Sequence, residues 1–72
     1  MTKLPILSGK EAQKILYKMG FYPIRQKGSH VYMQHRDGRS TVVPMYPQIG
    51  RGLLKRILNE AETDIDEFMK YM

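Results

Sequence analysis

Apolar residues recur at helical spacing near the start of the chain. Ala12, Ile15, Leu16 and Met19 fall at i, i+3, i+4 and i+7, one face of a helix. Just ahead, Ser8-Gly9-Lys10-Glu11 has the form of a capping box. The Ser8 hydroxyl is placed to accept from the Glu11 amide, and the Glu11 carboxylate to reach back. Gly20 stands where a left-handed C-terminal cap closes such a helix. The pattern predicts a helix over Ser8–Met19.

The period then drops to two. Phe21–Gln26 reads as a first extended run, and Pro23 confines it to a sheet edge or bends it. Along His30–Arg36, the residues Val31, Met33 and His35 share one face, while His30, Tyr32 and Gln34 share the other. Asp37-Gly38 is a short-range hairpin signal, and Arg39–Val43 returns as a third strand. Pro44 and Pro47 bracket a loop that regular structure cannot occupy for long. Helical spacing then resumes over Arg51–Ala61, where Leu53, Leu54, Ile57, Leu58 and Ala61 form an apolar stripe. Thr63 or Asp64 is placed to cap a last short helix, Ile65–Tyr71, with Ile65, Phe68 and Met69 inward.

The order predicts an α+β domain spanning 1–72: a helix, a three-stranded antiparallel sheet, a helix and a short C-terminal helix. Both longer helices must cover one face of the sheet for so small a chain to have a core. Ile15, Leu16, Val31, Val42, Leu54, Ile57 and Leu58 are the expected core.

Composition narrows the chemistry. The 72 residues include no cysteine, which removes disulfides and thiolate metal sites. Two histidines without a thiol partner argue against structural zinc, and no cofactor or metal is expected. The apolar runs are far too short to span a membrane and no secretory leader is apparent, so the expected location is the cytoplasm. Twelve basic side chains against seven acidic ones give a formal charge of +5, unevenly spread, with an acidic tail over Glu60–Glu67. Such an excess suits a polyanionic partner, nucleic acid above all; a merely soluble basic surface is the alternative.

The stretch that carries candidate chemistry is Arg25-Gln26-Lys27-Gly28-Ser29-His30. Gly28 permits a positive φ and close approach of backbone, so a phosphate could rest on its amide with Arg25 and Lys27 supplying charge. Histidine titrates near neutral pH, and RNA carries its own nucleophile, the 2′-hydroxyl; His30 could therefore move a proton in RNA cleavage without a metal. Read from spacing alone, Lys27-Gly28-Ser29 is more readily an ordinary hairpin turn with His30 exposed beside it. His35 shares a face with Val31 and Met33 and reads as a partly buried structural residue. Arg51, Lys55 and Arg56 lie off the stripe of the second helix, near its N-terminus, and suit phosphate; a solvated helix face is the other reading. Of the tyrosines, Tyr22, Tyr32 and Tyr46 are candidates to stack bases, and Tyr32 is the best placed because it shares a strand face with His30.

These residues in this order resemble the HicA toxin family. The resemblance covers about Ser8 to Phe68. It rests on Met19-Gly20-Phe21, Arg25-Gln26-Lys27-Gly28-Ser29-His30, Asp37-Gly38-Arg39, Val42-Val43-Pro44, Gly52-Leu53-Leu54-Lys55-Arg56-Ile57-Leu58, Ala61 and Glu67-Phe68. It implies a fold like a double-stranded-RNA-binding domain and the toxin role of a type II toxin–antitoxin pair. It also implies metal-independent endoribonuclease activity on messenger RNA. The catalytic histidine of the family's Gly-Ser-His motif falls on His30, with Gly28 and Ser29 beside it, and a HicB-like antitoxin is the implied partner. Many members carry a second histidine two positions after the Val-Pro proline, where Tyr46 stands here. His30 would then act with Lys27, Tyr46 or water. A non-catalytic double-stranded RNA-binding module, using Lys55 and Arg56 on phosphates, is the competing reading, and an interaction protein with a basic face is a third.

Overall fold

The computed structural model describes residues 5–72. Six elements follow in order: α1 (Gly9–Lys18), β1 (Phe21–Lys27), β2 (His30–His35), β3 (Ser40–Pro44), α2 (Arg51–Glu60) and α3 (Ile65–Met69). The strands form one antiparallel sheet in the order β1-β2-β3. This is the α+β arrangement the hydrophobic pattern predicts, with the helix–three strands–helix order of a double-stranded-RNA-binding domain.

The caps appear where the sequence places them. The Ser8 hydroxyl accepts from the Glu11 amide at 3.0 Å, and the Ser8 amide donates to Glu11 Oε1 at 2.9 Å. Asp64 rather than Thr63 caps α3, its carboxylate accepting from the Glu67 amide. Pro23 lies in an edge strand, as a residue without an amide hydrogen must. The pairing of β1 with β2 skips between Pro23 and Arg25, a bulge that leaves Ile24 out of the ladder.

Helices cover one face of the sheet. Ile15, Leu16, Leu54, Ile57 and Leu58 bury against Phe21, Val31, Met33 and Val43, and Phe68 of α3 joins them. The thinnest dimension, 17 Å, fits two layers. One expected core residue is displaced. Val43, fully buried, takes the place assigned to Val42, which is only half-buried. Val31 pairs with Val43 and Tyr32 with Val42, so Val42 belongs to the uncovered face. A slip of one residue in a strand exchanges its faces, and only the closed hairpin sets that register.

Arg39 ties the layers together. Its Nη1 donates to the Ala61 carbonyl at the end of α2, its Nε meets Asp37 Oδ2 at 2.8 Å, and its guanidinium lies 5.2 Å from the centre of the Phe21 ring. Thr41, a buried polar residue, donates through Oγ1 to Glu60 Oε1.

Candidate functional site

β1 and β2 are joined by the two-residue turn Gly28-Ser29. Gly28 has φ +60°, the left-handed backbone such a tight turn requires, and faces open space. The Gln26 side-chain amide donates to the Gly28 carbonyl at 3.0 Å. The turn delivers His30 as the exposed first residue of β2, directly opposite Lys27. Cross-strand partners hold their Cβ atoms about 5 Å apart, so the lysine charge lies within reach of anything bound at the imidazole.

The other wall of the site comes from the loop after β3. The Met45 amide donates to the Ser29 carbonyl at 2.6 Å, which joins this loop to the turn. Tyr46 then meets the His30 ring edge to face, centroids 6.1 Å apart and planes at 78°. The loop is itself held by α1. The Gly9 amide donates to the Tyr46 carbonyl at 2.8 Å, and a Cβ on Gly9 would lie 2.7 Å from Met45 Cα. Any side chain at Gly9 would collide with this loop, a requirement invisible in the local sequence.

The remaining candidates spread over the molecule. Arg25 and Tyr32 are cross-strand partners on the face that carries His30, with the guanidinium 4.8 Å from the centre of the Tyr32 ring. Arg51, at the first position of α2, is exposed. Lys55 lines a depression with Leu58, Asn59, Thr63 and Asp64, on the side of α2 nearest α3. Arg56 points the other way; its Nη2 donates to the Val42 carbonyl on the β3 edge at 3.1 Å. The structure thus gathers Arg25, Lys27, Gly28, Ser29, His30 and Tyr32, places Arg56 at the edge of their sheet face, and sets Lys55 apart.

His35 has the structural surroundings its pattern suggests. Its Nδ1 accepts from the Asp37 amide, its ring packs edge-on to Phe21, and Gly20 lies against its Nε2. Among the described residues no group of three or more His, Cys, Asp or Glu could hold a metal ion, and no helix is long and apolar enough to cross a membrane.

A comparison with protein-family models matches residues 9–63 to the HicA toxin of bacterial toxin–antitoxin systems. The chain belongs to the HicA toxin family. The matched segment runs from the start of α1 to just beyond α2 and includes the turn, His30 and Tyr46. Membership in the HicA family places the chain on the toxin side of a toxin–antitoxin pair. A search of curated proteins returns no match.

Proposed function

We propose that this HicA-family toxin is an endoribonuclease that cleaves messenger RNA with His30 as its acid/base group and no metal. The observation that carries the reading is an exposed histidine at the head of β2, across from Lys27 and against Tyr46, within a HicA family match. In the reaction the RNA 2′-oxygen attacks the adjacent phosphorus, the bond to the 5′-oxygen breaks, and a 2′,3′-cyclic phosphate and a 5′-hydroxyl remain. His30 takes the proton from the 2′-hydroxyl or supplies the one that the leaving oxygen needs, and water serves the other step. Lys27, opposite His30, stabilises the charge that grows on the phosphoryl oxygens, where fixed cations act most strongly, and Arg25 adds positive charge further along β1. Gly28 leaves room for a phosphate to approach the turn.

The partner is a HicB-like antitoxin that covers His30 and the cations around it. A basic nuclease in contact with cellular RNA has to be neutralised, and opposite charge speeds capture.

His30→Ala tests the reading. Loss of one general acid/base group costs ~10²–10⁴-fold in rate. The side chain is exposed, so the variant should keep its fold by circular dichroism. Expression of the wild type should arrest growth and that of the folded variant should not. Arrest by both would remove His30 from the mechanism.

A further inference from the structure

The sheet is covered on one side only, and the other side is where the candidate site lies. Along β1, strict alternation would send Tyr22 and Ile24 to the open face and Arg25 away from it. The bulge changes this. By leaving Ile24 outside the ladder, it pairs Arg25 with Tyr32 and Lys27 with His30, so both cations rise on the face that carries the histidine. A bulge that re-aims side chains in this way is characteristic of functional edges. The open face consequently bears Tyr22, Arg25, Lys27, His30, Tyr32 and Val42, and its other strand positions are neutral. A depression of about 320 Å³ is lined by Tyr32, Ser40 and Val42 of this face together with Met33 and Thr41, which face the helices. One acid borders it, Glu60, whose Oε1 accepts from Thr41.

We infer that this open face is a platform for single-stranded RNA, on which the Arg25–Tyr32 layer stacks an unpaired base one nucleotide from the bond cleaved at His30. The inference rests on the RNA substrate proposed above and specifies its form. The Arg25 guanidinium carbon lies over the Tyr32 ring, 4.8 Å from its centre, and a guanidinium plane accepts a base as an aromatic ring does. Tyr32 and His30 are two residues apart on one strand, about 6.6 Å, a separation one extended nucleotide bridges. Lys27 takes the phosphate between them, and Arg56 at the β3 edge follows the strand onward. A duplex keeps its base faces to itself and offers mainly phosphates and 2′-hydroxyls. A stacking layer therefore serves only an unpaired strand, and the positive charge around it matches that strand's phosphates.

The test uses a 2′-O-methyl oligonucleotide containing 2-aminopurine, single-stranded or paired with its complement, in EDTA. This probe cannot supply the attacking hydroxyl, so binding is read without cleavage, and failure of the His30 mechanism would leave the result untouched. The wild type should bind the single strand more tightly than the duplex and change the 2-aminopurine signal. Tyr32→Leu should weaken binding by about 5- to 150-fold, the range for losing one stacked base, while Tyr32→Phe retains it. Arg25→Lys keeps the charge and loses the plane; it should preserve the salt dependence and lose the stacking signal, and it carries the test if Tyr32→Leu does not fold. Wild-type binding by both folded variants would overturn the platform. So would tighter binding of the duplex, insensitive to Tyr32, which would put RNA on the helices. Variants that bind the oligonucleotide normally but no longer capture the antitoxin would make this face a protein contact instead.

Discussion

At the scale of single residues, the site depends on how the His30 ring is held. The imidazole stands on an exposed strand end, and Tyr46 meets it from the side at 6.1 Å, inside the range for an edge-to-face aromatic pair. Such a pair contributes about 0.5–1.5 kcal/mol beyond its buried area. If Tyr46 acts by fixing the ring, Tyr46→Phe should cleave RNA at a rate close to wild type, and Tyr46→Ala should lose about 2- to 10-fold, in step with that energy. A Phe variant as slow as the Ala variant would give the phenol oxygen a direct part in proton transfer. The local sequence shows His30, its glycine turn and its flanking cations, because all lie within six positions. Spacing does not show Tyr46 beside them; only the family resemblance, which sets Tyr46 where many members carry a second histidine, points to it. Sixteen positions separate the two, and only the closure of β3 against β2, with the loop pinned by Gly9, brings them together.

At the scale of elements, α1 carries the most legible signal and a measurable consequence. The Ser8 backbone amide, and then the Ser8 hydroxyl, hold the Glu11 carboxyl below its ordinary range. A depressed carboxylate stabilises the fold fully above its unfolded pKa of about 4.3 and loses that contribution as pH falls through the folded value. Glu11→Gln keeps an acceptor oxygen but cannot titrate. Its melting temperature should therefore decline less steeply than that of the wild type below about pH 5. The difference should be partial, since the Arg39 amide holds Asp37 down in the same direction. Identical acid profiles from pH 7 to 3 would mean that the cap does not contribute through charge. The strands are less legible than the helix. Alternation separates the faces of β2 correctly, but Thr41, Val42 and Val43 in succession leave β3 ambiguous until the Asp37-Gly38 turn sets which valine faces the helices. The Ile24 bulge is harder still: Pro23 signals an edge, not which residue leaves the ladder. Arg39 gives no sign of its reach to Ala61, a contact across 22 positions.

At the scale of the whole molecule, the acidic residues are concentrated at one end of the chain. Acidic residues gather from the end of α2 through α3, while Arg25 and Lys27 stand on the open sheet face and Arg56 at its edge. RNA binding should weaken with salt by about 0.7 log units per log unit of salt for each phosphate contact on a single strand. Lys27→Gln combined with Arg56→Gln should flatten that slope by roughly 1.4. Arg56 spends one nitrogen on the Val42 carbonyl and retains other donors for a phosphate. An unchanged slope would move the RNA path away from this face. The antitoxin contact proposed above makes a parallel prediction. A complex of toxin and antitoxin should protect His30 and Lys27 from solvent, which hydrogen exchange over the β1–β2 turn would register. A turn that exchanges equally fast in the complex would show inhibition at a distance.

The central claim is proton transfer by His30 to or from the RNA's own hydroxyl, and the chemistry of the cut ends tests it most directly. Purified wild type and folded His30→Ala protein would be incubated with messenger RNA in EDTA and the fragment termini mapped. Wild type should leave 2′,3′-cyclic phosphate and 5′-hydroxyl ends, and His30→Ala should leave the RNA intact. Cleavage by the folded variant at the wild-type rate, activity that vanishes in EDTA, or 3′-hydroxyl ends would contradict the account.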